Sequence, residues 1–185
     1  GINTLTSGSL SVLNTDLVSL SASQRDKFRA DHIGYIFQQF NLLPYLNVLE
    51  NVLLPCQFSQ TRRGRALSRT SSQTLEEQAQ ALLERLHLPS ELHARPVSEL
   101  SIGQQQRVAA ARALIGYPGL VIADEPTSAL DHDNRKAFIE LLMEQTNQAN
   151  ATLIFVSHDP TLEPLFDRTL NLPDINQASN LGAAL

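Results

Sequence analysis

Short apolar runs recur along this chain, separated by longer amphipathic stretches. The runs SLSVL (9–13), IGYIF (33–37), LVIA (120–123), TLIFV (152–156) and RTLNL (168–172) read as strands. Those at 33–37, 120–123 and 152–156 are almost continuously apolar, as in strands covered on both faces of a parallel sheet. Between them the period lengthens to that of a helix. LEEQAQALLERLHL places Leu75, Ala79, Leu82, Leu83 and Leu86 on one face, and Thr74 with Glu77 forms a capping box at its start. QQQRVAAARALIG gathers Val108, Ala111, Leu114 and Ile115 on one side, and DNRKAFIELLMEQT aligns Phe138, Leu141 and Leu142. Alternating strands and helices predict an α/β fold. From about Asn41 to Leu100 the pattern offers helices and no strand, so it reads as a helical insertion between the strands at 33–37 and 120–123.

Composition narrows this picture. A chain of 185 residues is one domain at about 150 residues per domain, with room for a small added lobe. With 42% hydrophobic and 18% charged residues it can bury an ordinary core. A net charge of -5 argues against a general nucleic-acid binder. The single cysteine, Cys56, excludes an internal disulfide and a multi-cysteine metal cluster. No apolar run approaches about 18 residues, and the first twenty residues do not have the pattern of a signal peptide, so neither a membrane span nor a leader is expected. The stretch from Phe58 to Thr74, with Arg62, Arg63, Arg65 and Arg69, reads as a solvated loop or short polar helix.

Four segments carry candidate chemistry. In LVIADEPTSALD an apolar strand runs into Asp124 and Glu125, which delivers two carboxylates to the carboxyl edge of the sheet, where α/β ligands bind. The first could hold Mg²⁺ and the second could orient or deprotonate water; a strand that merely ends in polar residues looks the same. In LSIGQQQRV, Ser101 and Gln104 suit a helix N-terminal capping box. Gly103 leaves room for close backbone approach, and the free N–H groups favour an anion. Taken alone, such a start is more often only a cap. His158 follows the strand TLIFV, on the same edge as Asp124, where it could bond a phosphate, hold a water or serve structure. Gln38 follows the strand IGYIF, where an amide could touch a metal or water, or do nothing.

Taken in order and spacing, these segments resemble the ATP-binding cassette (ABC) ATPase family from about Ser7 to Leu172. The wording FQQFNLLPYLNVLENV and SIGQQQRVAAARAL is similar to its lipoprotein-release and macrolide-export branch. The resemblance implies a P-loop NTPase-like parallel sheet, with a helical subdomain over about 41–107 inserted in the catalytic core of a single domain, 1–185. It implies ATP and Mg²⁺ as ligands, with Asp124 and Gln38 at the metal, Glu125 as the base or water-orienting residue and His158 at the γ-phosphate. Ser101, Gly103 and Gln104 would close over the ATP of a second copy, and Asp131 would communicate across that homodimer. A membrane permease subunit would dock near the helical insertion, which places the chain on the cytoplasmic face of a membrane.

The sequence departs from the family pattern at one decisive point. The phosphate loop reads G-x-x-x-x-G-K-[ST]. The two lysines here follow Asp26 and Arg135, and no pair of the eight glycines frames such a loop. GINTLTSGSLSV resembles the stretch after the P-loop helix, so the expectation is that the chain begins there, lacking the N-terminal strands, the P-loop and its helix. It would then be unstable or aggregation-prone alone and bind ATP poorly. Smaller departures are Ile102, where the family usually has glycine, and LPDINQ (172–177) in place of an LxDG turn. The alternatives are a soluble ABC ATPase of translation or DNA maintenance, disfavoured by the short insertion without heptads, and a non-catalytic pseudo-ATPase or truncated gene product acting as a binding module.

Overall fold

The computed structural model describes Leu5 and residues 7–69, 74–128 and 132–176, with the backbone alone for 132–134. The chain opens with a small antiparallel pair, β1 (Ser11–Val12) and β2 (Thr15–Asp16), turned by Leu13 and Asn14 in left-handed conformations. Helix α1 (Ala22–His32) follows, capped by Ser21 and Gln24, and runs directly into β3 (Ile33–Ile36). Helices α2 (Val48–Phe58), α3 (Gln60–Ser68), α4 (Leu75–Arg85) and α5 (Ile102–Leu114) come next. Then come β4 (Leu120–Asp124), α6 (His132–Gln148), β5 (Thr152–Val156) and the short α7 (Leu172–Ile175).

The three long-range strands form one parallel sheet in the order β3-β4-β5. Ile36 pairs with Ala123, and Asp124 with Val156, so the three strands end nearly level. The expected strands at 33–37, 120–123 and 152–156 are therefore present. The run at 168–172 is not a strand: 168–171 are irregular, and Leu172 opens α7. Leu170 and Leu172 are exposed there, so the apolar spacing that suggested a strand has no sheet neighbour to cover it among the described residues.

The two faces of the sheet differ. Ile36, Val121 and Ala123 are buried, within the core that α5, α6 and α2 complete through Val52, Val108, Ala110, Phe138 and Leu142. On the alternate positions Ile154 and Val156 are 47% and 42% exposed, so β5 alternates rather than being covered on both sides. Helix α5 lies very close to β3. A Cβ built on Gly34 would stand 2.2 Å from Ala113 O, so only glycine admits this approach.

The arginine-rich stretch forms the short polar helix expected of it, α3, with one departure: the helix is pinned by Arg62, which is 3% exposed. Its guanidinium donates to Ile115 O through Nε (2.9 Å), to Ala113 O through Nη2 (2.6 Å) and more weakly to Ile33 O. These carbonyls include those left open at the end of α5, where a cation is also favoured by the helix dipole. Burial pushes the pKa of Arg62 down to about 10, and it stays charged at neutral pH. Gly116 (φ +74°) packs against it so closely that an added Cβ would meet Arg62 Cβ at 2.6 Å. Beside it, buried Asp31 accepts from Ser59 Oγ and from Lys27 Nζ at 3.0 Å. Burial raises the Asp31 pKa, but the Ser59 and Lys27 bonds outweigh it, and the carboxyl is held below its ordinary value.

Two outcomes follow. Gly34→Ala should destabilise the fold by about 2 kcal/mol or more, because backbone rather than a flexible side chain must give way; chemical denaturation measures it. Asp31 has a depressed folded pKa, so its stabilisation is present above the unfolded carboxylate range and is lost as pH falls through the lower, folded value. Asp31→Asn should thus be less stable than the parent at pH 7, with the gap closing below about pH 4; melting curves across pH test this.

Candidate functional site

The level ends of β3, β4 and β5 gather four of the candidate residues at one edge. Asp124 is the last residue of β4, and its Oδ2 accepts a hydrogen bond from Tyr35 Oη at 3.4 Å. Tyr35 lies on β3 opposite Ile122, and the pairing register carries its hydroxyl to the carboxylate. Burial, then the charge of Asp124 and this bond, raise the Tyr35 pKa above its ordinary value. The sequence reading passed over Tyr35, whose place between Gly34 and Ile36 looks like an ordinary strand position; only the register shows its partner.

Glu125 leaves the strand in a left-handed conformation, φ 47°, which is costly for a residue with a side chain. Its N–H still donates to Val156 O at 3.1 Å, and its own carbonyl accepts from Ser128 N at 3.2 Å. The turn thus aims the carboxylate away from the strand direction, toward β5. There His158 Nε2 stands 3.3 Å from Glu125 Oε1. The histidine side chain is 96% exposed and the glutamate side chain only 19%. Glu125 Oε1 is buried and makes no aligned hydrogen bond. A buried carboxylate oxygen left open in this way is costly unless a donor arrives. The Glu125 residue lines a cavity of about 390 Å³ with Thr127, Ser128, Ser157, His158 and Asp159.

The base of this cavity holds an ion pair that sequence reasoning also missed. Arg135 from α6 meets Asp159 Oδ2 at 2.5 Å. Hydrogen bonds from Thr161 and then from Arg135 hold the Asp159 carboxyl below its ordinary pKa. This ties α6 to the segment after His158. The Ser157–His158–Asp159 run holds itself as well, since Asp159 N donates to Ser157 Oγ at 3.1 Å.

Gln38 sits in the exposed turn immediately after β3. Parallel pairing puts it at the level of Glu125, on the far side of β4 from His158. Gln38 thus lies at the same edge as Asp124. Ser101 and Gln104 form the expected capping box at the start of α5: Gln104 N donates to Ser101 Oγ at 3.3 Å, and Ser101 N donates to Gln104 Oε1 at 2.9 Å. Nothing stands within 4 Å of a Cβ built on Gly103, so this helix start is open. Among the described residues no hydrogen bond or ion pair joins Ser101, Gly103 or Gln104 to Glu125 or His158, whereas Gln106, further along α5, donates to Pro126 O at 2.6 Å in the loop after Glu125. Asp131 lies outside the described residues. Asp124 alone is no metal cluster, and among the described residues no group of three or more His, Cys, Asp or Glu side chains could hold a metal ion by itself.

Comparison with known proteins places this geometry. The family profile described as "ABC transporter" matches residues 1–128, and the chain belongs to that family. It is 38% identical over 174 residues to the lipoprotein-releasing system ATP-binding protein LolD of Hydrogenovibrio crunogenus, covering 94% of this chain and 71% of that protein. It is 39% identical over 169 residues to the macrolide export ATP-binding/permease protein MacB of Syntrophobacter fumaroxidans, covering 91% of this chain and 22% of that one. Among solved structures it matches the ATP-binding cassette MJ0796, in a dimeric post-hydrolysis state bound to ADP and Pi, with a TM-score of 0.69 and 35% identity. That match covers 86% of this chain and 66% of the other, so the chain spans about two thirds of the cassette it resembles. The α/β fold built on a parallel sheet is therefore the ABC cassette fold.

Glu125 provides a direct test of the site's local strain. Glu125→Gly removes both the left-handed penalty and the unsatisfied buried oxygen. It should raise stability by about 1 kcal/mol, a reversal of the usual effect of glycine substitution. Urea unfolding measures it, and a loss of stability would show that Glu125 is not held under strain.

Proposed function

We propose that this chain is the ATP-hydrolysing part of an ABC transporter, acting with a membrane permease on the cytoplasmic face of a membrane. The observation that carries the reading is the buried, unsatisfied Glu125 Oε1 facing His158 at the edge of the sheet. The Glu125 carboxylate, at the cavity wall, can accept the proton of an attacking water, or orient it, while the exposed His158 imidazole reaches toward the γ-phosphate. Asp124, with Gln38 across the edge, would hold Mg²⁺ through water. The metal would neutralise charge on the phosphates.

The open start of α5 supports a role in trans. Ser101, Gly103 and Gln104 face no group of their own catalytic edge, so they are available to the nucleotide of a second copy, with Asp131 signalling between the two. The dimeric state of MJ0796 is consistent with such a homodimer. Residues 41–107 form the helical subdomain, with the permease docking against it. No helix among the described residues is long and apolar enough to cross a membrane, so on this reading the membrane-spanning part belongs to that partner.

A second reading is favoured by the lysines. Lys27 is bonded to Asp31 at 3.0 Å, and Lys136 lies 3.8 Å from Glu140, so neither is at the catalytic edge. These 185 residues contain no G-x-x-x-x-G-K-[ST] loop, and by themselves they should bind ATP weakly and hydrolyse none. In isolation they would act only as a binding module.

Two measurements separate the readings. Titration of the 185-residue chain with Mg²⁺–ATP should show only weak binding; tight Mg²⁺-dependent binding would overturn the second reading. Joined to the strand, loop and helix of a relative that carries G-x-x-x-x-G-K-[ST], the chain should hydrolyse ATP. In that fusion Glu125→Gln should slow hydrolysis by about a hundredfold or more and trap an ATP-bound dimer. Undiminished hydrolysis by the variant would remove Glu125 from the catalytic role.

A further inference from the structure

Helix α5 reaches both loops that carry the candidate residues, through different side chains. Gln106, 1% exposed, donates through Nε2 to Pro126 O at 2.6 Å, one residue beyond Glu125. Six positions later, about 240° around the helix, Arg112 donates through Nη1 to Asn41 O at 2.7 Å and through Nη2 to Phe40 O. Phe40 and Asn41 come just after the turn that holds Gln38, and both are left-handed, with φ of 60° and 48°. Two successive non-glycine residues in that region persist only when their surroundings hold them. The planar fork of Arg112 takes both carbonyls at once, which a lysine ammonium cannot do with the same geometry.

The far end of the same loop is fixed by a second buried group. Asn51, fully buried on α2, accepts from Leu43 N and donates to the carbonyls of Leu43, Leu46 and Asn47. The loop is thereby anchored at both ends, while Gln38 and Gln39 remain exposed. Burial lowers the Arg112 pKa, and the loop carbonyls, rather than a carboxylate, solvate its charge.

We infer that Arg112 and Gln106 are positioning residues: they tie the Gln38 loop and the Glu125 loop to the one helix whose start carries Ser101 and Gly103. A displacement of α5 then displaces both loops together. The catalytic consequence rests on the ATPase reading; the two ties do not.

The test is amide hydrogen exchange on the whole chain without nucleotide, so undiminished hydrolysis by the Glu125→Gln fusion would sink the ATPase reading and leave this comparison intact. Arg112→Gln should speed exchange at Phe40, Leu43 and Leu46 by about tenfold or more, while β4 and β5 keep their protection. Arg112→Lys should fall between Arg112→Gln and the parent. Gln106→Leu should do the same for Thr127 and Ser128 and leave the Gln38 loop unchanged. Equal protection of these amides in folded variants would overturn the inference, as would loss spread evenly over all strands. If the variants do not fold, the parent chain still decides it by nitrogen NMR of the Arg112 guanidinium. Slow rotation about its Cζ–N bonds is expected for a fork held at both ends, and free rotation would overturn the clamp.

Discussion

The whole arrangement depends on the pairing of β4 with strands on both sides. Parallel pairing fixes register residue by residue, and here it brings three separate chain segments to the same height. Because Asp124 pairs with Val156, the turn at Glu125 lies beside Ser157 and His158; because Ile36 pairs with Ala123, the turn at Gln38 lies level with Glu125. A slip of one residue would turn Asp124 to the other face and separate Glu125 from His158. The buried Val121 and Ala123 resist that slip, since it would exchange them with Ile122 and Asp124. The chemistry of the edge is thus set by the packing of the face behind it.

Local strain and global packing divide the work at this edge. The strand delivers Asp124 in an ordinary extended conformation, tied to Tyr35, whereas Glu125 is forced into a conformation its side chain disfavours. That cost is tolerated because the peptide on each side is bonded, to Val156 and Ser128. Such a carboxylate is fixed in place by its own backbone before any ligand arrives. The Arg135–Asp159 pair does the same for the segment bearing His158 by tying it to a long helix.

What the sequence made legible follows from range. Capping boxes at Thr74 and Ser101, and the apolar stripe of α4, involve residues three or four apart, and they form as the pattern indicates. The three strands and the carboxylates at the end of β4 were equally readable from their continuous apolar runs, although the exposed Ile154 and Val156 show that β5 is covered on one face only. Tyr35, Arg62, Arg112 and Arg135 were not. Each acts across 24 to 89 positions of chain, and an arginine or tyrosine carries no local sign of a distant carbonyl or carboxylate partner. The run at 168–172 failed for the opposite reason: its local spacing is strand-like, yet no described neighbour supplies the other half of a sheet.

Arg62 changes how the arginine-rich stretch of α3 can drift. Its neighbour Arg63 is exposed, but Arg62 occupies a slot shaped by Gly116 and by three carbonyl-bearing positions on other elements. Two of these positions would have to change at once for another residue to replace it, because a smaller side chain leaves carbonyls bare and a larger residue at 116 collides with it. A stretch that reads as a solvated loop or short polar helix therefore contains a position held as firmly as any in the core.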